Sequence, residues 1–439
     1  MSLLKNLIIV VVLFLIICKP EFVFIPFGVN RFFGVLGLFI FFADAQAKHK
    51  IIDSSRASFR KIIKPLIPVV VISFVSIVLN GTSDIYFPKY SLSIILGFFA
   101  AYFWAYLLYK FYSEVSIKTV CNYYTIVVVL FVVVAFICFL QPSVYDTLVS
   151  YERIDEIALI SMERTEGTRL IGIGANFFAA AVINGTLLIL LAAYIVSYNH
   201  STKQMVMLII SYALITVLGM MMVRTTLFGA LLGFVIILMN IMSSKRKFLR
   251  VISSLAIILL LLFIILDTFG MYSNDKIDTL TSFGFEMFNN KQQNGGKFET
   301  NSMHSLYRMW NTIPTDIKTW IIGDGLWEDH GFYYKNVDLG YLRNLWYFGL
   351  LGSFFIYRFY YKTIKTIFIE KAIFNSNRRL VAYALIMFIV IINAKGPGDL
   401  FFSIIPFYFV HFLNNKNIDI NRKRNENITY SSLDGWRRY

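Results

Sequence analysis

Charged residues are scarce in this chain, and so are cysteine and histidine. Only 15% of its 439 residues are Asp, Glu, Lys or Arg, whereas a soluble globular protein has about 25%. The three cysteines and five histidines form no cluster with zinc-site spacing, and no Walker, GxGxxG or HExxH pattern occurs. These absences argue against a disulfide framework, a zinc site and the nucleotide-binding sites that such motifs mark.

Apolar residues, by contrast, are abundant. The chain is 57% hydrophobic and 17% aromatic, and apolar runs of roughly 15–20 residues are separated by short charged loops, as in polytopic helical membrane proteins. The net charge of +15 comes from basic residues in alternate loops, which is the orientation signal of an inner-membrane protein. We therefore expect a lipid bilayer, and no nucleic acid, as partner.

The apolar runs predict an all-α polytopic membrane protein with about twelve transmembrane helices. We place them at about 5–19, 31–45, 65–80, 91–112, 121–140, 176–197, 204–221, 226–242, 251–266, 341–357, 380–393 and 400–413. The first resembles a signal peptide, but Lys19-Pro20-Glu21 follows instead of a small-residue cleavage site, so we interpret it as a retained helix. The basic loops all fall on one side, which predicts that both termini are cytoplasmic.

This topology divides the chain into four parts. Residues 1–266 carry helices one to nine, with an outer loop at about 141–175. Residues 267–340 form a large outer loop, residues 341–413 carry helices ten to twelve, and residues 414–439 form a basic cytoplasmic tail. We find no internal repeat, and the large loop is the longest segment that is not hydrophobic.

Arg224 and Arg169 are candidate anion ligands. Arg224 interrupts an apolar pair of helices, where an Arg costs a few kcal/mol and usually faces a cavity, an acid or an anionic ligand. Alternatively, it extends to the interface and sets the helix register. Arg169 precedes Gly172, Gly174 and Asn176 at the start of helix six, a combination that suits a phosphate and equally fits an ordinary capped helix start.

Two further cations lie in predicted outer segments. Arg308 and His304 share one face of a predicted short amphipathic helix, and Leu306 and Trp310 are expected to pack downward from another face. Arg308 and His304 can equally be a surface pair. Lys395 precedes Gly-Pro-Gly in an outer turn and can be a phosphate ligand or an interfacial Lys. A pyrophosphate ligand would account for all four cations, because Arg binds phosphate in a bidentate manner.

Asp338 lies just before helix ten, at the membrane surface. A carboxylate there can accept a proton from a sugar hydroxyl, as glycosyl transfer requires, or it can cap the helix. Tyr341, with Trp346 and Tyr347, fits sugar stacking and also fits an interfacial aromatic belt.

The order of these features resembles the O-antigen polymerase/O-antigen ligase superfamily of bacterial membrane glycosyltransferases. The matching pieces, in chain order, are Arg169-Leu-Ile-Gly172 with Asn176, Arg224-Thr, Arg308-Met-Trp310, Gly323-Asp-Gly325, Asp338-Leu-Gly-Tyr341-Leu with Gly349 and Gly352, and Lys395. The resemblance covers about residues 160–400. Ligases resemble one another in a His-Asn pair where this chain has Asp338-Leu339, and that departure favours a Wzy-type polymerase.

The resemblance implies a GT-C-like, metal-independent enzyme without a cofactor at the periplasmic face of the inner membrane. It would join undecaprenyl-pyrophosphate-linked oligosaccharide repeat units, with Asp338, Arg308 and Arg169 as catalytic residues. Its substrate-binding residues would be Arg224, His304, Lys395, Asn176 and Tyr341. A chain-length regulator and a flippase are further candidate partners. The alternatives are an O-antigen ligase acting on lipid A-core, a polysaccharide flippase or transporter, and a scaffold membrane protein.

Overall fold

The computed structural model is mostly helical. It describes residues 2–51, 56–112, 115–154, 159, 162, 167–175, 177–241, 279–280, 282–283, 301–329, 331–371, 373–374 and 377–414. The first helices are α1 (Ser2–Cys18), α2 (Val29–Ala43), α3 (Ala45–Ile51), α4 (Arg56–Ile63), α5 (Leu66–Asn80), α6 (Tyr86–Phe111), α7 (Ile117–Leu140) and α8 (Pro142–Ser150). They are followed by α9 (Phe177–Ser197), α10 (Thr202–Met222), α11 (Thr226–Ile241), α12 (Asn301–Trp310), α13 (Ile317–Ile322), α14 (Gly340–Ile364), α15 (Arg378–Asn393) and α16 (Phe401–Asn414).

Five helices in the described part are long and apolar enough to cross a membrane. They are Arg60–Asn80, Tyr86–Phe111, Ile117–Leu140, Phe177–Ser197 and Thr202–Met222. Large apolar side chains also cover the outside of the bundle, and Phe39, Phe42 and Val78 are 71%, 72% and 74% exposed. Apolar exposure on this scale suits contact with lipid better than contact with water, so the expectation of an all-α membrane protein is supported.

Each predicted helix other than the ninth coincides with a helix in the structure. The ninth, at about 251–266, lies outside the described residues, as do part of the predicted large loop and nearly all of the tail. Helix four was predicted to begin at about residue 91, which is wrong by about one turn. Helix α6 begins at Tyr86 and contains Pro88 in its first turn. Proline is tolerated there, since a first-turn N–H has no partner within the helix. The number of crossings, and the side on which each loop lies, stay predictions.

The loops gather at two ends of the bundle. At one end, which we call the Asp338 end, the backbone of Trp327 bonds to Asp84 at 2.7 Å and that of Val23 bonds to Tyr151 at 2.9 Å. The opposite end, which we call the Glu370 end, has ion pairs between Lys61 and Glu370 (2.8 Å) and between Lys110 and Asp44 (3.0 Å). Segments predicted to be outer thus meet at the Asp338 end. Helix α9, the most buried of these five apolar helices, runs between the two ends.

A break in α14 organises the Asp338 end. Phe348 and Gly349 leave helical geometry, with φ of −141° and 65°, so carbonyls in the preceding turn lose their helical partners. The carbonyl oxygens of Trp346 and Tyr347 instead accept from two consecutive amides of segment 323–325, at 2.7 and 2.9 Å. The Gly-Asp-Gly motif is therefore a structural clamp on the broken helix.

Helix α5 fastens the same clamp from its other side. The side chains of Asn80 and Thr82 donate to carbonyl oxygens at the two ends of segment 323–325, at 3.0 and 2.9 Å. Ser76 Oγ donates to the carbonyl oxygen of Tyr347 at 2.8 Å. Because these partners are buried or half-buried, leaving one of them unpaired would cost about 1–3 kcal/mol.

Substituting Gly349 with alanine should destabilise the protein. A Cβ there would lie 2.3 Å from the backbone of Ile321, and the left-handed conformation alone costs about 1–2 kcal/mol. Gly81 is a matched control, since its φ is 62° but a Cβ there meets nothing within 4 Å. In detergent, we expect Gly349→Ala to lower the melting temperature clearly more than Gly81→Ala. Equal shifts would contradict the clamp.

Candidate functional site

Every predicted site residue that the structure describes lies at the Asp338 end. These residues are Asp338, Arg308, Arg169, Arg224, His304, Lys395 and Tyr341, whereas Asn176 lies outside the described residues. Two groups stand out. The carboxyl site consists of Asp338, Lys395 and Arg343, the last of which the sequence reasoning missed. The arginine pair consists of Arg169 and Arg224.

Asp338 is the centre of the carboxyl site. Its Oδ1 lies 3.8 Å from Nη1 of Arg343, and its side chain is 49% exposed. Burial of the carboxyl raises its pKa to about 6, against the lowering effects of the Arg343 and Lys395 charges. A carboxylate with this pKa is mostly ionised at pH 7 yet more basic than an ordinary Asp. It can therefore accept a proton near neutral pH.

Asp338 does not cap helix ten, so the capping alternative was wrong. The N-cap position of α14 is Leu339, and no side chain bonds to the first-turn amides there. Both Val337 and Leu339 are fully buried, and their backbone is extended. Since successive side chains alternate in extended backbone, Asp338 is turned away from the buried side.

Arg343 holds the carboxyl site from within α14. Its guanidinium lies between two rings, 3.8 Å from the centroid of Trp327 and 4.0 Å from that of Tyr333. It donates to the Trp327 carbonyl oxygen at 3.3 Å, while its buried Nε has no partner among the described residues. Arg343 is only 5% exposed. An Arg inside an apolar run was the available signal, but its aromatic partners are distant in sequence.

Helix α12, which carries Arg308 and His304, packs beside the carboxyl site. Leu306 and Met309 contact a small core that includes Val337 and Leu339. The helix was predicted, but Trp310 was wrongly expected to pack downward. Its ring is 41% exposed and lies 6.5 Å from that of Tyr341, at the rim.

Three further predicted site residues belong to this region. Arg308 is exposed and donates to Ser305 Oγ at 3.3 Å, and His304 is also exposed. The Tyr341 hydroxyl donates to the Val390 carbonyl oxygen at 2.8 Å, so that its ring is the part left to contact a ligand. The ligand roles predicted for these three residues stay predictions.

The arginine pair brings two cations to one aromatic ring. The guanidinium carbons of Arg224 and Arg169 lie 4.4 and 5.9 Å from the centroid of Phe283, and Arg224 Nε donates to its carbonyl oxygen at 2.9 Å. Arg169 also lies 4.2 Å from the ring of Phe177. Phe177 has a φ of 50°, a conformation that is strained for a bulky residue and is typical of functional sites.

Electrostatics favour an anion beside this pair. Burial and the like charge of Arg224 lower the pKa of Arg169 to about 10. The buried Arg169 Nε has no hydrogen-bond partner, and no ion pair involves Arg169 among the described residues. A phosphate bound beside the two guanidinium groups would relieve the repulsion. Arg169 also lines an apolar cavity of about 240 Å³ with Phe139, Pro142 and Ile171, a setting for a lipid chain.

A larger cavity opens at the same end and was not foreseen from the sequence. Its volume is about 340 Å³, and it lies among the ends of α1, α2, α6, α9 and α16. Lys19 and Asp399 line it, and the Lys19 Nζ lies 3.6 Å from the ring centroid of Phe402. Asp399 belongs to the turn that begins at Lys395, so this turn contributes to both the cavity and the carboxyl site.

Comparison of the chain with models of protein families finds no match, and comparisons with curated proteins and with solved structures find none either. The function must therefore be inferred from the chemistry of the site.

Proposed function

We propose that this chain is a metal-independent membrane glycosyltransferase, an O-antigen-type polymerase that joins undecaprenyl-pyrophosphate-linked oligosaccharide repeat units. One observation carries the proposal: Arg169 and Arg224 converge on one ring at the same end of the bundle as a carboxyl whose pKa is about 6. Transfer from a diphosphate-linked sugar requires cations that bind the diphosphate and a base that accepts the proton of the acceptor hydroxyl.

In the proposed reaction, Arg169 and Arg224 bind the donor's pyrophosphate, which is the leaving group. An acceptor hydroxyl attacks the anomeric carbon, and a new C–O bond forms as the bond to phosphate breaks. The hydroxyl proton passes to Asp338, and the two electrons of the broken bond remain on the pyrophosphate. Preorganised cations stabilise that charge, the role a metal ion has in other glycosyltransferases.

The apolar surroundings of the arginine pair suit a lipid-linked donor. The cavity beside Arg169 is lined mainly by apolar side chains and adjoins helices that are apolar enough to cross a membrane. A polyprenyl chain can lie against such a surface while its diphosphate contacts the guanidinium groups, since burial of each CH₂ contributes about 0.8 kcal/mol. A soluble nucleotide-sugar donor would gain nothing from the apolar cavity.

The proposal is tested by deleting the gene in its host and separating the surface lipopolysaccharide on a gel, with and without a plasmid copy. We expect the deletion to leave a core with a single repeat unit, and the plasmid to restore a ladder. Polymer retained on its carrier lipid would indicate a ligase instead. Repeat units stranded on the cytoplasmic face would indicate transport, and an unchanged ladder would exclude the proposed activity.

A further inference from the structure

The 340 Å³ cavity at the Asp338 end has the size of a small-molecule site, since such sites span about 300–1,000 Å³. Apolar side chains form much of its wall, among them Val182, Ile183 and Phe402. Polar groups line it as well, including Lys19, Glu21, Asn30, Arg31, Tyr90 and Asp399. A few convergent polar groups on an apolar wall are typical of a binding site for a small organic ligand.

The charges around this cavity balance. Two cations, Lys19 and Arg31, face two carboxylates, Glu21 and Asp399. Burial lowers the pKa of Lys19, and the charges of Asp399 and Glu21 oppose this lowering. Because the acids compensate the bases, the cavity offers no net attraction to a phosphate or another anion, in contrast to the arginine pair. It favours a neutral ligand that both donates and accepts hydrogen bonds.

Asn30 lines the cavity and has an unpaired polar atom beneath the cavity wall. Its side chain is only 8% exposed, and its Oδ1 has no hydrogen-bond partner in the described part of the chain. A buried acceptor without a partner costs about 1–3 kcal/mol. Rotation of the Asn30 amide toward the cavity would let a ligand hydroxyl donate to this oxygen and remove that cost.

The cavity leads toward the carboxyl site. Tyr86, Tyr90 and Asp399 also border a smaller cavity of about 60 Å³, which extends to Trp327. The rings of Tyr86 and Trp327 stack with centroids 4.2 Å apart. Trp327 in turn lies against Arg343, the partner of Asp338. Polar and aromatic side chains therefore continue from the large cavity to the proposed base.

We infer that this cavity binds a neutral sugar and is the subsite for the terminal sugar of the acceptor. Hydroxyl groups would donate to Asn30 Oδ1 and Asp399 and accept from Lys19, and the apolar wall would contact the C–H face of the ring. The binding follows from the cavity itself, whereas the acceptor role rests on the proposed function.

The test measures binding of free sugars to the purified full-length protein in detergent, by saturation-transfer NMR and calorimetry. The probes are a neutral hexose, an N-acetylhexosamine and a hexuronic acid. We expect the neutral sugars to bind and the uronic acid to bind at least about tenfold more weakly. Tighter binding of the uronic acid, or no binding of either neutral sugar, would overturn the inference.

Two variants and one control locate the binding. Asn30→Leu removes the amide, and Ala179→Phe fills the cavity from an exposed alanine on its wall, where a larger side chain can enter with little disturbance of the fold. Each should weaken binding of the neutral sugar about tenfold or more. Asn377→Leu is the matched control, because Asn377 is also 8% exposed but lies at the Glu370 end. Unchanged binding in Ala179→Phe would contradict the assignment.

Failure of this inference is distinguishable from failure of the proposed function. If the native plasmid and the Ala179→Phe plasmid restore the ladder equally well, the proposed polymerase activity is supported and the assignment of the cavity as the acceptor subsite is wrong. If neutral sugars bind but the native plasmid restores no polymer, both the acceptor role of the cavity and the proposed function are wrong. A short-chain product from Ala179→Phe, at normal membrane abundance, is the result we expect.

Discussion

Replacing Asp338 with asparagine should reduce the rate of polymer formation by about 10²–10⁴-fold, the usual contribution of a positioned general base. The amide keeps the shape of the side chain but cannot accept the proton. In the native protein, the raised pKa of about 6 sets the direction of the pH dependence. Because the ionised form is active, the rate should fall about tenfold per pH unit below pH 6 and level off above pH 7.

The measurement is the initial rate of polymerisation in proteoliposomes between pH 5 and pH 8. Asp316→Asn is the matched control, because Asp316 caps α13 at the same end of the bundle and asparagine caps a helix about equally well. It should leave the rate unchanged. If the Asp338→Asn variant has a nearly normal rate, or if its rate still falls about tenfold per pH unit below pH 6, the base is a group other than Asp338.

Replacing Arg169 with methionine should lower the turnover number by about 10²–10³-fold, as loss of one charge-stabilising donor typically does. The charge that develops on the leaving pyrophosphate is greatest in the transition state, so kcat should fall more than KM rises. Arg169→Lys should recover only part of the loss. Its ammonium lacks the planar group that lies 4.2 Å from Phe177 and can bind phosphate at two points.

Arg379→Met is the control for Arg169, because Arg379 is an exposed arginine of α15 near the Glu370 end and should not affect turnover. Pyrophosphate binding to the purified protein provides a second measurement. We expect Arg169→Met to weaken it by tenfold or more. If turnover and pyrophosphate affinity both stay normal, the arginine pair has a structural role only. The proposed binding of the leaving pyrophosphate by this pair would then be wrong.

The helices could be predicted because an apolar run of this length has few other stable conformations in a bilayer. The grouping of Asp338 with Lys395 could be anticipated from topology, since both were placed in outer segments. Arg343 could not be assigned a role, because its position depends on Trp327 and Tyr333 packing around it. The sequence shows an arginine in an apolar run but not what surrounds it.

The cavity and the helix break were beyond sequence reasoning for a related reason. Asn30 and Asp399 lie almost 370 residues apart in the chain, so only the packing of α2 and α16 against α6 brings them to one cavity. Gly349 in an apolar run is compatible with a straight helix, and the break becomes visible only through its bonds to segment 323–325. Both features depend on contacts between segments that are far apart in the sequence, and a local sequence pattern does not predict such contacts.

The clamp on the broken helix has a consequence for repeated addition of units. Segment 323–325 is hydrogen-bonded to the first turns of α14, and these bonds favour fixed positions for Trp327 and Arg343 in the absence of substrate. In the proposed reaction, this preorganisation would lower the ordering entropy spent in each cycle. For the proposed polymerase, the moving part would then be the glycan, which advances past a stationary enzyme by one unit at a time.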